Sequence, residues 1–129
     1  MEKTTKITEL NAKEKVELLA KLSFEKFARN VVSLEVTDLI YLTDYFLIMT
    51  VDSQPQMKAM VEHLKLAGRE KGLELFHIEG EKGLTWMLMY FGDVTVHVFL
   101  QKERELYDLE GLWFQAKKEI FEDDVNREE

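Results

Sequence analysis

The sequence predicts an α/β fold: a mixed five-stranded sheet flanked by helices, in the order α-β-β-α-β-β-β-α. Three features carry this expectation. Two amphipathic stretches open on capping signals at Asn11 and Ser53, and extended apolar runs cover 45–51, 85–91 and 94–100. Gly92 and Asp93 then make a tight turn between the last two runs, so those strands are expected to be antiparallel.

Asn11 with Glu14 three positions on is a capping-box pattern, in which each side chain can satisfy the other's backbone donor. Val16, Leu19, Ala20, Ser23 and Phe27 then recur at helical spacing as the stripe that packs on a sheet, which leaves Leu18 and Leu22 on the opposite side, open to solvent or to a second copy. A first strand is expected over 31–36, followed by a turn at 37–39. The run YFLIMTV at 45–51 is nearly all apolar and rich in β-branched and aromatic residues, as a strand covered on both faces requires.

Ser53 and Gln56 repeat the capping-box spacing, with Pro55 in the first turn, where a missing N–H costs little. Met57, Met60, Val61, Leu64 and Ala67 form the buried stripe, and Gly72 after Arg69 and Lys71 is a left-handed stop. Strands follow over 73–78, 85–91 and 94–100. After Leu100 the period becomes helical, with Leu106, Leu109, Trp113, Ala116 and Ile120 on one face of a terminal helix. Residues 1–121 read as a single domain, and the acid-rich residues 122–129 as a solvated tail.

Composition narrows the function. With 129 residues and 46% hydrophobic content, the chain has enough material for one core. The absence of cysteine removes disulfides, thiolate metal sites and cysteine nucleophiles. A formal net charge of -8 has the wrong sign for gripping phosphate backbones, so sequence-specific nucleic-acid binding is not expected. No apolar run approaches the roughly 20 residues of a spanning helix, and residues 1–8 lack the apolar stretch of a secretory signal. A cytoplasmic location without membrane contact is the expectation.

Catalytic signals are sparse. His77, Glu79 and Glu81 alternate and would share a strand face suited to a metal, yet they surround Gly80 and precede Gly83, which favours a solvated loop. His97 lies in VTVHVFL on the same side as Thr95 and Phe99, where a hydrogen-bonded packing role is the stronger reading. Ser53 has no glycine elbow around it and is explained by the helix cap, and no phosphate-cradling glycine loop is present. No cofactor or metal is expected. The run Trp86–Phe91 is instead apolar on both faces. Either Trp86, Leu88 and Tyr90, or Met87, Met89 and Phe91, must face away from the core toward a helix, a second subunit or a partner. Trp86 and Tyr90 are large aromatics with polar tips, the usual anchors of an interface.

The segment TDYFLIMTVDSQPQ, the pair Glu79-Gly80, and the run from Trp86 through GDVTVHVFLQKERELYDLEGLW resemble the ribosomal silencing factor family, also called Iojap-like, over most of the chain. The matching positions include Asp93, His97, Phe99, Arg104, Tyr107, Glu110 and Trp113. Tyr90 stands where the family usually carries aspartate, and Val51 where it usually carries glycine. The resemblance implies a nucleotidyltransferase-like fold without catalytic activity, often homodimeric. It also implies binding to the large ribosomal subunit through its basic protein fourteen, on the face that meets the small subunit. Subunit joining is thereby blocked and translation repressed. Trp86, Tyr90, Phe91, Asp93, His97 and Tyr107 are the expected partner surface. Two rival expectations are a metal-dependent nucleotide-processing enzyme using His77, Glu79 and His97, and a dimeric platform paired through the Leu18 and Leu22 side.

Overall fold

The computed structural model describes residues 10–123, so residues 1–9 and all of the expected acidic tail except Glu122 and Asp123 lie outside the described residues. In chain order the elements are α1 (Ala12–Phe24), β1 (Arg29–Glu35), β2 (Tyr45–Val51), α2 (Gln54–Glu70), β3 (His77–Glu79), β4 (Trp86–Tyr90) and β5 (Val94–Leu100). Two short helices, α3 (Gln101–Tyr107) and α4 (Leu109–Leu112), and a last strand, β6 (Lys117–Ile120), complete the described chain.

The sheet has six strands in the order β3-β4-β5-β2-β1-β6. Every neighbouring pair is antiparallel except β2 and β5, which run parallel in continuous register from Tyr45 opposite Val94 to Val51 opposite Leu100. This parallel pair lies at the centre. YFLIMTV is apolar on both faces because β2 sits there, with β1 and β5 on its flanks.

Two apolar layers sandwich the sheet. On one face α1 and α2 cover Leu47, Met49, Val51, Met87, Met89, Val94, Val96 and Val98, with Leu19, Met57, Met60 and Leu64 contributed from the helices. On the other, Val32, Leu34, Val36, Phe46, Ile48 and Phe99 are covered, among the described residues, by Leu109, Trp113 and Ala116 of the C-terminal segment, by Trp86 and by Ile40. Asn11 caps α1 in a complete capping box with Glu14, as expected. At α2, the Ser53 hydroxyl accepts from Gln56 N–H at 3.1 Å, but Gln56 does not reciprocate to Ser53. Its side-chain oxygen accepts from Asp52 N–H, and its amide donates to the Lys26 and Phe27 carbonyls, which ties the start of α2 to the turn before β1.

Several expectations are corrected. Leu22 is only 5% exposed and shares the core with Leu19, and Leu18 packs partly against the same core. Because α1 rests against α2 as well as the sheet, Leu22 belongs to the core and does not form an exposed pair with Leu18. Phe27 is not in the stripe: α1 ends at Phe24, and Phe27 has φ 66° in the turn that follows. The third strand pairs only over His77–Glu79, short of the expected 73–78.

The largest correction lies at the C-terminus. The expected single helix breaks at Asp108, which takes a left-handed conformation (φ 42°) and caps α4 by accepting from Gly111 N–H at 3.0 Å. The chain then turns back as β6 and adds a sixth strand beside β1, with Ile120 opposite Val32 and Lys117 opposite Glu35. Ile120 is therefore exposed on an edge strand, and its apparent place in a helical stripe is coincidental.

Candidate functional site

Alternation along β4 decides which residues meet solvent. Met87 and Met89 point into the helix-covered core, leaving Trp86, Leu88 and Tyr90 half-buried on the opposite face. Register with β5 sets their neighbours: Trp86 lies opposite Phe99, Leu88 opposite His97, and Tyr90 opposite Thr95. Gly80 makes this edge possible. It has φ 98°, and a Cβ there would collide with the Trp86 carbonyl oxygen, which accounts for a glycine after Glu79.

Trp86 is the centre of an aromatic cluster. Its ring lies 4.9 Å from Phe99 in a stacked arrangement and 4.6 Å from Tyr107 of α3. The indole N–H donates to His97 Nδ1 at 3.1 Å. The His97 ring in turn meets Phe46 in a T-shaped contact at 4.7 Å, and Phe46 meets Trp113 at 6.2 Å. Burial pushes the His97 pKa from 6.5 down to about 4, so the ring is neutral near pH 7. With Nδ1 accepting from Trp86, the ring proton is assigned to Nε2, which has no hydrogen-bond partner among the described residues. His97 is thus a packing histidine that orients Trp86.

Tyr90 stands at the other end of β4. Its hydroxyl donates to the Leu42 carbonyl at 3.0 Å, tying the β1–β2 loop across an apolar cleft of about 420 Å³ between Ile40, Leu42, Phe46, Leu88 and Tyr90, with His97 also in its lining. Asp93 lies apart from the aromatic cluster. Its carboxylate meets Lys15 of α1 at 3.2 Å, and its carbonyl accepts from Asp44 and Tyr45 N–H, so it braces the hairpin turn against the first helix. Phe91 is a correction to the expected surface. It is 3% exposed and belongs to the helix-side core, near Gly68 of α2, and presents no surface to a partner.

Of the expected surface residues, then, the fold brings Trp86, His97 and Tyr107 together, sets Tyr90 further along the same strand, places Asp93 at the helix side, and buries Phe91. Two members of the cluster, Phe46 and Trp113, are not among those expected surface residues. The signal for Phe46 was its place in YFLIMTV, where alternation puts one side of β2 on this face.

The residues of the rival metal site do not converge. His77 and Glu79 form an exposed pair at 2.8 Å, while His97 lies two strands away across Leu88, a spacing of roughly 10 Å. Glu81 is exposed in the following turn. Among the described residues no group of three His, Asp or Glu side chains is placed to hold a metal ion. Among them, also, no helix is long and apolar enough to cross a membrane.

The profile of the family described as "Ribosomal silencing factor during starvation" matches residues 9–129. The chain belongs to the ribosomal silencing factor family. It is 36% identical to the ribosomal silencing factor RsfS of Halalkalibacterium halodurans over 107 residues, which is 83% of this chain and 92% of that protein. It is also 36% identical to the chloroplastic protein Iojap of Zea mays over 98 residues, 76% of this chain but 42% of the maize protein. Among solved structures, a Chromobacterium violaceum protein superposes with a TM-score of 0.78 at 27% identity, covering 91% of this chain and 95% of that one. The mixed α/β sheet flanked by helices is thus an architecture shared with a solved protein.

Proposed function

We propose that this chain is a non-enzymatic silencing factor that docks on the large ribosomal subunit through its basic protein fourteen and represses translation by occupying space the small subunit needs. The observation that carries the reading is the Trp86 cluster: a tryptophan fixed by Phe99, His97 and Tyr107 on the sheet face that, among the described residues, no long helix covers. A rigid aromatic that is already oriented loses little freedom on binding, which is what an interface anchor needs. Trp86 and Tyr107 form the centre of the proposed contact and Tyr90 its margin, His97 supports it from beneath, and Asp93, paired with Lys15 on the helix side, stands outside it.

The charge is consistent with this partner. A formal net charge of -8 attracts a basic protein and is repelled by the rRNA around it, so the encounter is steered toward protein and docking rests on local fit. We read the architecture as related to the nucleotidyltransferases without their chemistry, because nucleotide transfer needs paired strand carboxylates to hold metal ions and the sequences of β4 (WMLMY) and β5 (VTVHVFL) carry none. The setting is the cytoplasm, where subunits join. Homodimerisation is part of the same proposal and is measurable by sedimentation.

Replacing Trp86 by alanine tests the anchor. In co-pelleting with purified large subunits, Trp86→Ala should lose on the order of 2 kcal/mol, about a 30-fold rise in Kd, with far-ultraviolet circular dichroism unchanged. A folded Trp86→Ala protein that pellets as well as the wild type contradicts the assignment.

A further inference from the structure

The helix that supplies Tyr107 is weakly specified by its own sequence. α3 spans seven residues and has no side-chain cap at Leu100, so it is too short to persist unless something holds it to the sheet. Arg104 does so. Although charged, it is only 9% exposed, and its guanidinium reaches beneath the helix to two strands. Nη1 donates to the Asn30 carbonyl of β1 at 2.5 Å and to the Thr50 hydroxyl of β2 at 2.9 Å, while Nε donates to Glu110 of α4 at 3.2 Å.

The acceptor on β1 exists because of a local irregularity. The β1–β2 register slips between Arg29 and Val32, and Asn30 takes φ 51°, a left-handed conformation that asparagine tolerates better than most residues. The bulge leaves a carbonyl for the guanidinium to claim. Glu110 extends the clamp, since its second carboxylate oxygen meets Lys118 of β6 at 3.3 Å. Burial disfavours its charge, but hydrogen bonds and attraction from Arg104 and Lys118 outweigh that and hold its carboxyl below the ordinary glutamate range. One guanidinium therefore joins α3 and α4 to the sheet, and a planar fork suits three acceptors in a way that a lysine ammonium does not.

Tyr107 is three positions after Arg104, hence on a neighbouring part of the same helix face, and its ring is the one that lies against Trp86. We infer that Arg104 is the positioning residue of the docking surface: it acts through Tyr107, by holding α3 where the tyrosine ring braces Trp86. The ribosomal half of this inference rests on the docking reading above; the bracing itself does not.

The test compares Arg104→Met with Leu64→Ala, a destabilising change in the opposite, helix-covered layer. Two quantities are read in each folded variant: nuclear Overhauser contacts between the Trp86 indole and the Tyr107 ring, and Kd for purified large subunits by co-pelleting. Arg104→Met should lose the Trp86–Tyr107 contacts and bind about tenfold more weakly, while Leu64→Ala keeps both. In a Tyr107→Ala background, Arg104→Met should weaken binding no further, since the two act in series. Retained ring contacts in Arg104→Met overturn the inference. So do additive losses in the double variant, or affinity losses that simply follow the fall in Tm in both layers. If the wild type itself does not pellet with large subunits, the docking reading fails, and the ring contacts still decide whether Arg104 positions Tyr107.

Discussion

On the helix side of the sheet, aliphatic and methionine side chains from α1, α2 and four strands interlock, and residues such as Leu19, Leu47, Met60 and Leu64 are fully enclosed. On the other side, rings join the aliphatic chains of Val32, Leu34, Val36 and Ile48: Phe46, Trp86, His97, Phe99, Tyr107 and Trp113 make tilted, edge-to-face or stacked contacts beside two short helices, and Trp86, Tyr107 and Trp113 remain partly open. Both sides exclude water from the same sheet, but by different means. Long capped helices give an enclosed layer whose worth is stability. Short helices pinned by one buried arginine give a layer that fixes rings in place and still shows them to solvent.

The sharpest way to break this comparison is a cavity on the helix side. Leu64→Ala should cost about 2–5 kcal/mol in urea unfolding, because Leu64 is fully enclosed and its neighbours from α1 and the sheet cannot all close the gap. A loss under about 1 kcal/mol would mean that layer is not where stability resides.

The aromatic side should carry its own signature in acid. His97 has a pKa near 4 in the folded chain against 6.5 unperturbed, so between those values the unfolded chain takes a proton that the folded chain refuses. Stability from this group is constant above about pH 7 and falls as pH drops from 6.5 toward 4, by up to about 3 kcal/mol. Urea unfolding at pH 7 and pH 4.5 should show a smaller loss for His97→Asn, which keeps an acceptor for the Trp86 N–H and does not titrate there. Equal losses in the two proteins would place the acid sensitivity elsewhere.

The smallest effect is expected where α1 meets the hairpin turn. Lys15 and Asp93 pair at 3.2 Å with both side chains partly solvated, so Lys15→Met should change stability by less than about 1 kcal/mol. A larger change would make that pair part of the framework.

Much of the framework was legible in the chain. The capping box at Asn11, the helical stripe from Met57 to Leu64 and the turn at Gly92 are local signals, and the structure honours each of them. YFLIMTV was readable as a doubly covered strand, though nothing in it shows that its parallel partner is β5. The C-terminus misled because the chain is helical only as far as Tyr107, where the left-handed turn at Asp108 ends α3, and the one residue of the expected stripe inside that helix, Leu106, is exposed. β6 carried no pattern to read: KKEI is exposed throughout, as an edge strand bearing lysines can be, and its pairing depends on β1 being available.

The site was half legible, for a related reason. Trp86 and Tyr107 look like anchors by residue type, but their contact depends on where α3 lands, which Arg104 sets from within the fold. Phe91 is expected on the partner surface together with Trp86, but the sheet's pleat, with helices over the other face, puts the two on opposite sides.

Obstruction of subunit joining by the folded chain is open to direct measurement. Purified large subunits are mixed with saturating protein, small subunits are added, and joined ribosomes are followed on sucrose gradients. Wild-type protein should leave most subunits apart, and Trp86→Ala should let them join. Equal joining with and without the wild-type protein would contradict the proposed obstruction.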